Sequence, residues 1–497
     1  MEWTMASSGM AEAAGTVITG LLAGGHEAYF VGGCLRDELL GRPVHDMDLT
    51  TSALPEAVMA LFPRCVPTGL AHGTVTVLQN GYSFEVTTYR TESGYADHRR
   101  PEHVFFVSDV KEDLRRRDFT INAMCTGLNG VLIDPFGGER DLQLRRIRCV
   151  GQAEERFGED ALRMLRCVRF ASVLDFAIAK NTWRGLMRQR DKLAHIAVER
   201  VRAEVERIVE GPHPQRGLAL LLRSGLLPRG KAPFPWTGND LAAAAARTAG
   251  LENLQDARLR WALLLHALGS SAAAADELLR AWTFPGTTRV SVVAVLRVRE
   301  AWDAALSSVA PEAPGATEGL RRRWIAAVLA HGQSAAEGWL TLLAAAEDAA
   351  AGPVPAPDLA QGLAGAALAS RAPGQASPSA DAPARPAPGE ASPSADAPAR
   401  PAPGEASPSA DAPARPAPGT ASTQARLLRS WTAAMPLRSL AELAVTGHEL
   451  AELLQKQPGP WLGVLLNKLL LAAAAGDTAN DKQLLLQEAQ RMDRDEE

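Results

Sequence analysis

Tyr29-Phe30-Val31-Gly32-Gly33-Cys34-Leu35-Arg36-Asp37, followed closely by Asp46-Met47-Asp48, is the stretch on which the fold turns. Residues 29–31 read as a short buried strand, the glycine pair opens a helix over 34–40, and 47–50 read as a second strand. Side chains alternate faces along a strand, so Asp46 and Asp48 point the same way. Two carboxylates on one face repel unless a cation lies between them. Hard divalent cations take such oxygens, and Mg²⁺ typically takes one or two carboxylates together with substrate phosphates. The glycine turn ahead of a helix exposes backbone N–H groups that can hold a phosphate. A phosphate cradle beside a carboxylate pair points to phosphoryl or nucleotidyl transfer. D-x-D alone occurs in many surface turns; D-x-D close behind G-G-x-x-R-D is far more specific.

Working outward, residues 27–148 mix short strands with helices. Runs at 74–78 and 82–89 flank Asn80-Gly81, a hairpin turn signal. Glu85 falls on the second of these strands and is a candidate third carboxylate. The polar, charged stretch 91–103 reads as a mobile loop, and 131–134 as a last strand. From about 151 the pattern turns helical. Over 161–170, apolar residues at 162, 165 and 168 interleave with Arg163, Arg166 and Arg169, which gives a helix with one apolar and one arginine-bearing face. Residues 198–209 form another amphipathic helix.

The chain has 497 residues, enough for several domains, and a net charge of −5 that does not announce a nucleic-acid binder. Local charge says more: 111–207 holds 20 Lys and Arg against 15 Asp and Glu. The five cysteines, all within the first 167 residues and none spaced like a zinc site, fit reduced thiols in a cytoplasmic protein. The N-terminus has neither the basic nor the apolar region of a signal peptide, and no apolar run reaches membrane-spanning length. Residues 372–386 read APGQASPSADAPARP, and 387–401 and 402–416 repeat them with Glu for Gln. That composition cannot bury enough apolar surface to offset ordering, so 352–422 is expected to be a disordered linker. A helical tail follows, interrupted at Pro458-Gly459-Pro460.

Further motifs follow the first in order. They are Arg116-Arg117-Asp118-Phe119-Thr120-x-Asn122-Ala123, Asp134-Pro135-Phe136-Gly137-Gly138, Glu159-Asp160-x-x-Arg163 and Val198-Glu199-Arg200-Val201-x-x-Glu204. Together the five resemble the successive motifs of the class II tRNA nucleotidyltransferase and bacterial poly(A) polymerase family. Within it the chain most resembles the CCA-adding enzymes of Gram-positive type. Val445-Thr446-Gly447-x-Glu449-Leu450 and Pro458-Gly459-Pro460-x-x-Gly463 resemble that group's tail. The repeat is a departure from the pattern.

The resemblance implies an α+β protein. A nucleotidyltransferase palm with an antiparallel-type sheet (1–150) would precede an all-α neck (151–210), body (211–351) and tail (423–497), the last two holding tRNA. It implies addition of CCA to tRNA 3′ ends from CTP and ATP with Mg²⁺, releasing pyrophosphate. Asp46 and Asp48 would hold two metal ions, with Glu85 beside them. Gly33 and Arg36 would hold the triphosphate, and Arg117, Asp118 and Asn122 the ribose; Phe119 and Ile121 belong to the core. Asp160 and Arg163, three apart on one helix, would read the base, and Arg166 and Arg169 would extend that face. Asp only accepts and Arg only donates, which suits cytosine and adenine and mismatches uracil and guanine. The alternatives are an A-adding enzyme or a poly(A) polymerase, and, in another class, a catalytically dead RNA-binding protein; the intact Asp46 and Asp48 argue against the last.

Overall fold

The computed structural model describes residues 3–96, 100–232, 234–235, 240, 248, 250–308, 315–351 and 423–495. Met1–Ala349 with Ser422–Glu497 form one unit and Ala350–Ala421 another. The expected linker at 352–422 lies outside the described residues. The first part of the chain runs α1 (Ser8–Ala23), β1 (Ala28–Val31), α2 (Gly33–Leu39), β2 (Leu49–Thr51), α3 (Pro55–Leu61), β3 (Cys65–Gly69), β4 (Thr74–Gln79), β5 (Tyr82–Thr88), β6 (Arg90–Ala96), β7 (Arg100–Phe106), α4 (Val110–Arg115), β8 (Cys125–Thr126) and β9 (Leu132–Ile133).

Seven of these strands form a sheet in the order β3-β4-β5-β2-β1-β8-β9. It is antiparallel except where β2 meets β5 in parallel, Leu49 opposite Val86. Val75, Val77, Phe84, Val86, Met47 and Leu49 point to one face and bury against Val17, Ile18 and Leu21 of α1 and Val58 of α3. The residues between them necessarily face the other way. The β4–β5 turn has Asn80 at φ 51° and Gly81 at φ 85°, the two left-handed residues that a tight hairpin of this twist requires.

The stretch 91–103 corrects the loop expectation. It is an antiparallel hairpin, β6 with β7, register Arg90–Phe106 through Ala96–Arg100, and residues 97–99 at its tip lie outside the described residues. Polar strands of this kind lack the apolar alternation that marks a strand in sequence.

The helical expectation after 151 holds, with one addition. α5 (Gly138–Gln143), α6 (Ala153–Glu159), α7 (Leu162–Val173), α8 (Lys180–Gln189), α9 (Val198–Val209) and α10 (Pro214–Ser224) follow in order. A two-residue parallel pair, β10 (Arg146–Ile147) with β11 (Ala177–Ile178), ties the chain before α6 to the chain after α7. α9 buries Val201, Val205, Ile208 and Val209 at helical spacing in the same core as Leu165 and Val168 of α7. Helices Ala257–Ala267 to Gln333–Ala351 continue that core. The tail helices Gly447–Leu454, Pro460–Ala475 and Lys482–Arg494 build one of their own around Leu450, Leu469 and Leu485. Trp324 donates to the Thr432 hydroxyl (2.9 Å) and Arg429 pairs with Glu337 (2.7 Å), so the chain on both sides of 352–422 is anchored to the same body. All five cysteines are free. Among the described residues no helix is long and apolar enough to cross a membrane.

Candidate active site

Asp46 and Asp48 lie in the lead-in to β2, and the alternation holds: both reach solvent while Met47 and Leu49 are buried. Glu85 precedes Val86, the partner of Leu49, as Asp48 precedes Leu49. Glu85 therefore sits beside Asp48 on the exposed face of the sheet. Partial desolvation by the surrounding protein raises the Asp48 carboxyl to about 6 even though it reaches solvent; Asp46 and Glu85 add repulsion, and Arg117 opposes it. The donors are all oxygen. Among the described residues no three His, Cys, Asp or Glu side chains close into a metal cage. An exposed carboxylate pair of this kind fits a divalent cation that completes its shell with water and nucleotide phosphates.

The glycine turn lies next to these carboxylates, because the Val31 N–H donates to the Asp48 carbonyl (3.0 Å). Gly32 has φ 79°, and a Cβ there would meet the Arg117 guanidinium at 2.9 Å. Only glycine satisfies both the backbone conformation and the close approach. α2 then carries Arg36 inward, where its guanidinium donates to Asn122 Oδ1 (2.7 Å) and pairs with Asp37 (2.6 Å). Asn122 in turn donates to Asp118 Oδ1 (3.1 Å), and Asp118 Oδ2 pairs with Arg166 (2.7 Å). Burial would raise the Asp118 carboxyl, but Arg166 and Asn122 outweigh it and hold it at about 2. Phe119 and Ile121 are fully buried, as expected.

Asp160 and Arg163 correct the reading that put both on one helix. Asp160 is extended (φ −131°, ψ 105°) in the connection between α6 and α7. Its Oδ1 accepts from the Leu162 N–H (3.0 Å), in the manner of a helix cap, and its Oδ2 pairs with Arg200 (3.1 Å). Aspartate at such a position competes better for free backbone N–H groups than for a place in the helix. Arg163 lies in the first turn of α7. It pairs with Glu159 (2.5 Å) and donates to the Arg116 carbonyl (3.0 Å). Each is held by a different partner.

Arg166 and Arg169 do share the Arg163 face. With Arg36 they surround the Phe170 ring, their guanidinium carbons 5.0 Å (Arg36), 5.4 Å (Arg166) and 4.1 Å (Arg169) from its centroid. Glu204, itself buried, pairs with Arg169 (2.6 Å). Phe170 and the partners Glu204, Arg200 and Asp113 escaped sequence reasoning as site residues. The signal for Phe170 was its place directly after Arg169; Arg200 and Glu204 stand in the fifth motif, but their partners Asp160 and Arg169 lie far away in the chain, whereas Asp113 pairs with the nearby Arg116. Buried Asp113 pairs with Arg116 (2.9 Å), and Glu92 of β6 also pairs with Arg116 (3.2 Å). The hairpin is thereby joined to the residue whose carbonyl holds Arg163.

Residues 28–148 match the family described as poly A polymerase head domain, 175–229 that described as probable RNA and SrmB-binding site of polymerase A, and 414–489 that described as tRNA nucleotidyltransferase domain 2 putative. The chain is 48% identical over 264 residues to the CCA-adding enzyme of Geobacillus thermodenitrificans, covering 52% of this chain and 63% of that one. It is 44% identical over 296 residues to the CCA-adding enzyme of Bacillus cytotoxicus, covering 59% and 73%. The crystal structure of the Bacillus stearothermophilus CCA-adding enzyme in complex with CTP matches it with a TM-score of 0.70 at 32% identity, over 99% of both chains. The chain belongs to the CCA-adding enzyme family. The match to the Geobacillus enzyme spans just under two thirds of that relative's length. Among CCA-adding enzymes the Thermotoga maritima protein complexed with tRNA, 18% identical with a TM-score of 0.57, shares the fold.

Proposed function

We propose that this protein adds C, C and A to the 3′ end of tRNA from CTP and ATP, using Mg²⁺ and releasing pyrophosphate. Head (1–150), neck (151–210), body (211–351) and tail (423–497) would share the work as the sequence reading divides them. The observation that carries the reading is the continuity of one site. Exposed carboxylates on the lead-in to β2 and on β5 adjoin a glycine turn, which leads through Arg36 and Asn122 to a buried ring surrounded by arginines. Such a row matches a nucleoside triphosphate laid out from phosphates to base.

The terminal 3′-oxygen attacks the α-phosphorus, the bond from that phosphorus to the pyrophosphate oxygen breaks, and the hydroxyl proton leaves to solvent. Asp46 and Asp48 would hold Mg²⁺, which when bound lowers the hydroxyl pKa and neutralises leaving-group charge. The Gly32-Gly33 turn and Arg36 hold the triphosphate, and Arg117, Asp118 and Asn122 hold the ribose. Asp160 accepts from the exocyclic amine of cytosine or adenine, and Arg163 donates to the adjacent ring nitrogen. Both must give up part of their present pairing with Arg200 and Glu159 to do so. Uracil and guanine present a carbonyl beside an N–H, which mismatches both contacts.

The test is incorporation into a tRNA lacking CCA with each nucleoside triphosphate singly, then CTP with ATP. Two Cs from CTP alone and one A after them support the proposal. Failure to add C while adding A would make the protein an A-adding or poly(A) enzyme.

A further inference from the structure

The run ahead of α1 folds back over the head. Trp3 stands edge-on to Phe30 of β1, ring centroids 4.9 Å apart, and Met5 packs, partly buried, against the same core. Between these two contacts a single side chain, Glu38 of α2, grips the backbone. Its Oε1 accepts from the Thr4 N–H (2.7 Å) and the Thr4 hydroxyl (2.7 Å), and its Oε2 accepts from the Met5 N–H (2.9 Å). Burial would raise the Glu38 carboxyl, but these three bonds hold it below the ordinary carboxylate value. The Met5 carbonyl then accepts from the Val44 N–H (3.1 Å). Residues 3–5 thus form a strap that touches β1, α2 and the connection from α2 to β2.

Helix α2 by itself does not favour this residue. Glu38 is buried in the last turn of Gly33–Leu39, where a carboxylate opposes the helix dipole. Its hydrogen bonds all go to the strap, and the strap in turn reaches the metal-binding segment. Residues 42–48 have no regular structure, yet they carry Asp46 and Asp48. Among the described residues, Val44 to Met5 is the one backbone–backbone hydrogen bond that residues 43–47 make. At its far end the segment is fixed where the Asp48 carbonyl meets the Val31 N–H. Two residues apart on a helix, Arg36 and Glu38 face opposite sides of α2, so the strap holds the helix from behind while Arg36 reaches Asn122 in front. We propose that Glu38 is a positioning residue, which clasps residues 3–5 against α2, fixes the connection at Val44, and so places Asp46 and Asp48 relative to the glycine turn and Arg36. This rests on the reading of Asp46 and Asp48 as the metal-holding pair and adds to it a residue outside the motifs. Reacting groups must be held to within about 0.5 Å, and a misplacement of about 1 Å can cost about 100-fold in rate.

The test uses the full chain with two variants that break the clasp from opposite sides. Glu38→Leu removes all three acceptors and leaves no buried charge behind. Thr4→Pro removes two of the three donors and leaves α2 untouched. Hydrogen exchange followed by mass spectrometry, on protein without nucleotide or metal, should show residues 40–48 exchanging about tenfold faster or more in both variants, while β5 exchanges as in the unmutated chain. In nucleotide addition, kcat for C and for A should fall together by about tenfold, with KM for tRNA within about twofold, because the carboxylates serve every step and tRNA does not touch the strap. Thr4→Ser keeps both donors and should match the unmutated chain in both measurements. The double variant should be no worse than the poorer single, since both break one link. Unchanged exchange at 40–48 in Glu38→Leu overturns the proposal, and so does a kcat within about twofold of the unmutated value. Faster exchange throughout the head, β5 included, also overturns it, because Glu38 would then serve stability alone. An unmutated chain that adds no C would sink the CCA reading, and the exchange measurement, which needs no chemistry, would still decide whether the strap holds the segment.

Discussion

Asp118→Asn removes one charge and almost no volume. The buried carboxylate accepts from the Phe119 N–H (2.8 Å) and Asn122 (3.1 Å) on one oxygen and from Arg166 (2.7 Å) on the other. Burial alone would raise its pKa, yet Arg166 and Asn122 bring it to about 2 from an ordinary 3.8. That difference is worth about 2 kcal/mol in favour of the folded, charged state. An asparagine keeps the first two bonds but leaves the Arg166 guanidinium without its counter-charge, so the total loss at neutral pH should be about 2–4 kcal/mol. The sign of the pH dependence follows from the lowered value. The wild-type advantage is fully present above the ordinary aspartate pKa and is lost as pH falls from 3.8 toward 2. Urea unfolding of both proteins, followed by circular dichroism at several pH values, measures it. The gap should be constant from neutrality to about pH 5 and narrow below about pH 4. A variant as stable as the wild type, or a gap that widens on acidification, would refute the argument.

On the proposed reading, Asp46→Asn or Asp48→Asn should abolish both C and A addition while leaving tRNA retention on a filter within about twofold, because tRNA would be held mainly through its phosphate backbone elsewhere; C addition surviving in either would unseat the metal assignment. Gly32→Ala forces a side chain into φ 79° and against Arg117, and should cost about 1–3 kcal/mol in thermal unfolding and raise KM for CTP. Arg260 is buried, with carbonyls of Leu254, Val209, Gly211 and Glu252 as its acceptors; Arg260→Met should lower stability by about 2–4 kcal/mol, read by calorimetry. Deleting 372–416 should leave C and A addition within about threefold, since the repeat has no residues that could build a site.

The head was legible because its strands are half-buried. Met47, Leu49, Phe84 and Val86 had to face one way, and that alone placed Asp46, Asp48 and Glu85 on the other. The hairpin at 90–106 was not, since its strands are polar and charged and carry no apolar period to read. Asp160 shows a different limit. Its spacing from Arg163 suits a helix, but an aspartate just ahead of an apolar-periodic run is equally suited to capping one, and the start of α7 decides between them. The partners of the arginines, Glu204 and Asp118 among them, are set by the packing of α7 against α9 and the head. No local pattern encodes those distances.

The anchoring of the chain on both sides of 352–422 has a consequence for how the gene can change. Trp324 with Thr432, and Arg429 with Glu337, fix the two flanks to one body, so the intervening 71 residues leave and rejoin the same body. The entropic cost of closing a chain segment between two fixed ends grows only as the logarithm of its length, and removing all three repeats would alter it by about 0.9 kcal/mol. Slippage that adds or drops a 15-residue unit would change it by a few tenths of that order. Selection on folding is nearly blind to the copy number at this point, which is the condition under which an exact tandem duplication can arise, spread and persist inside an enzyme.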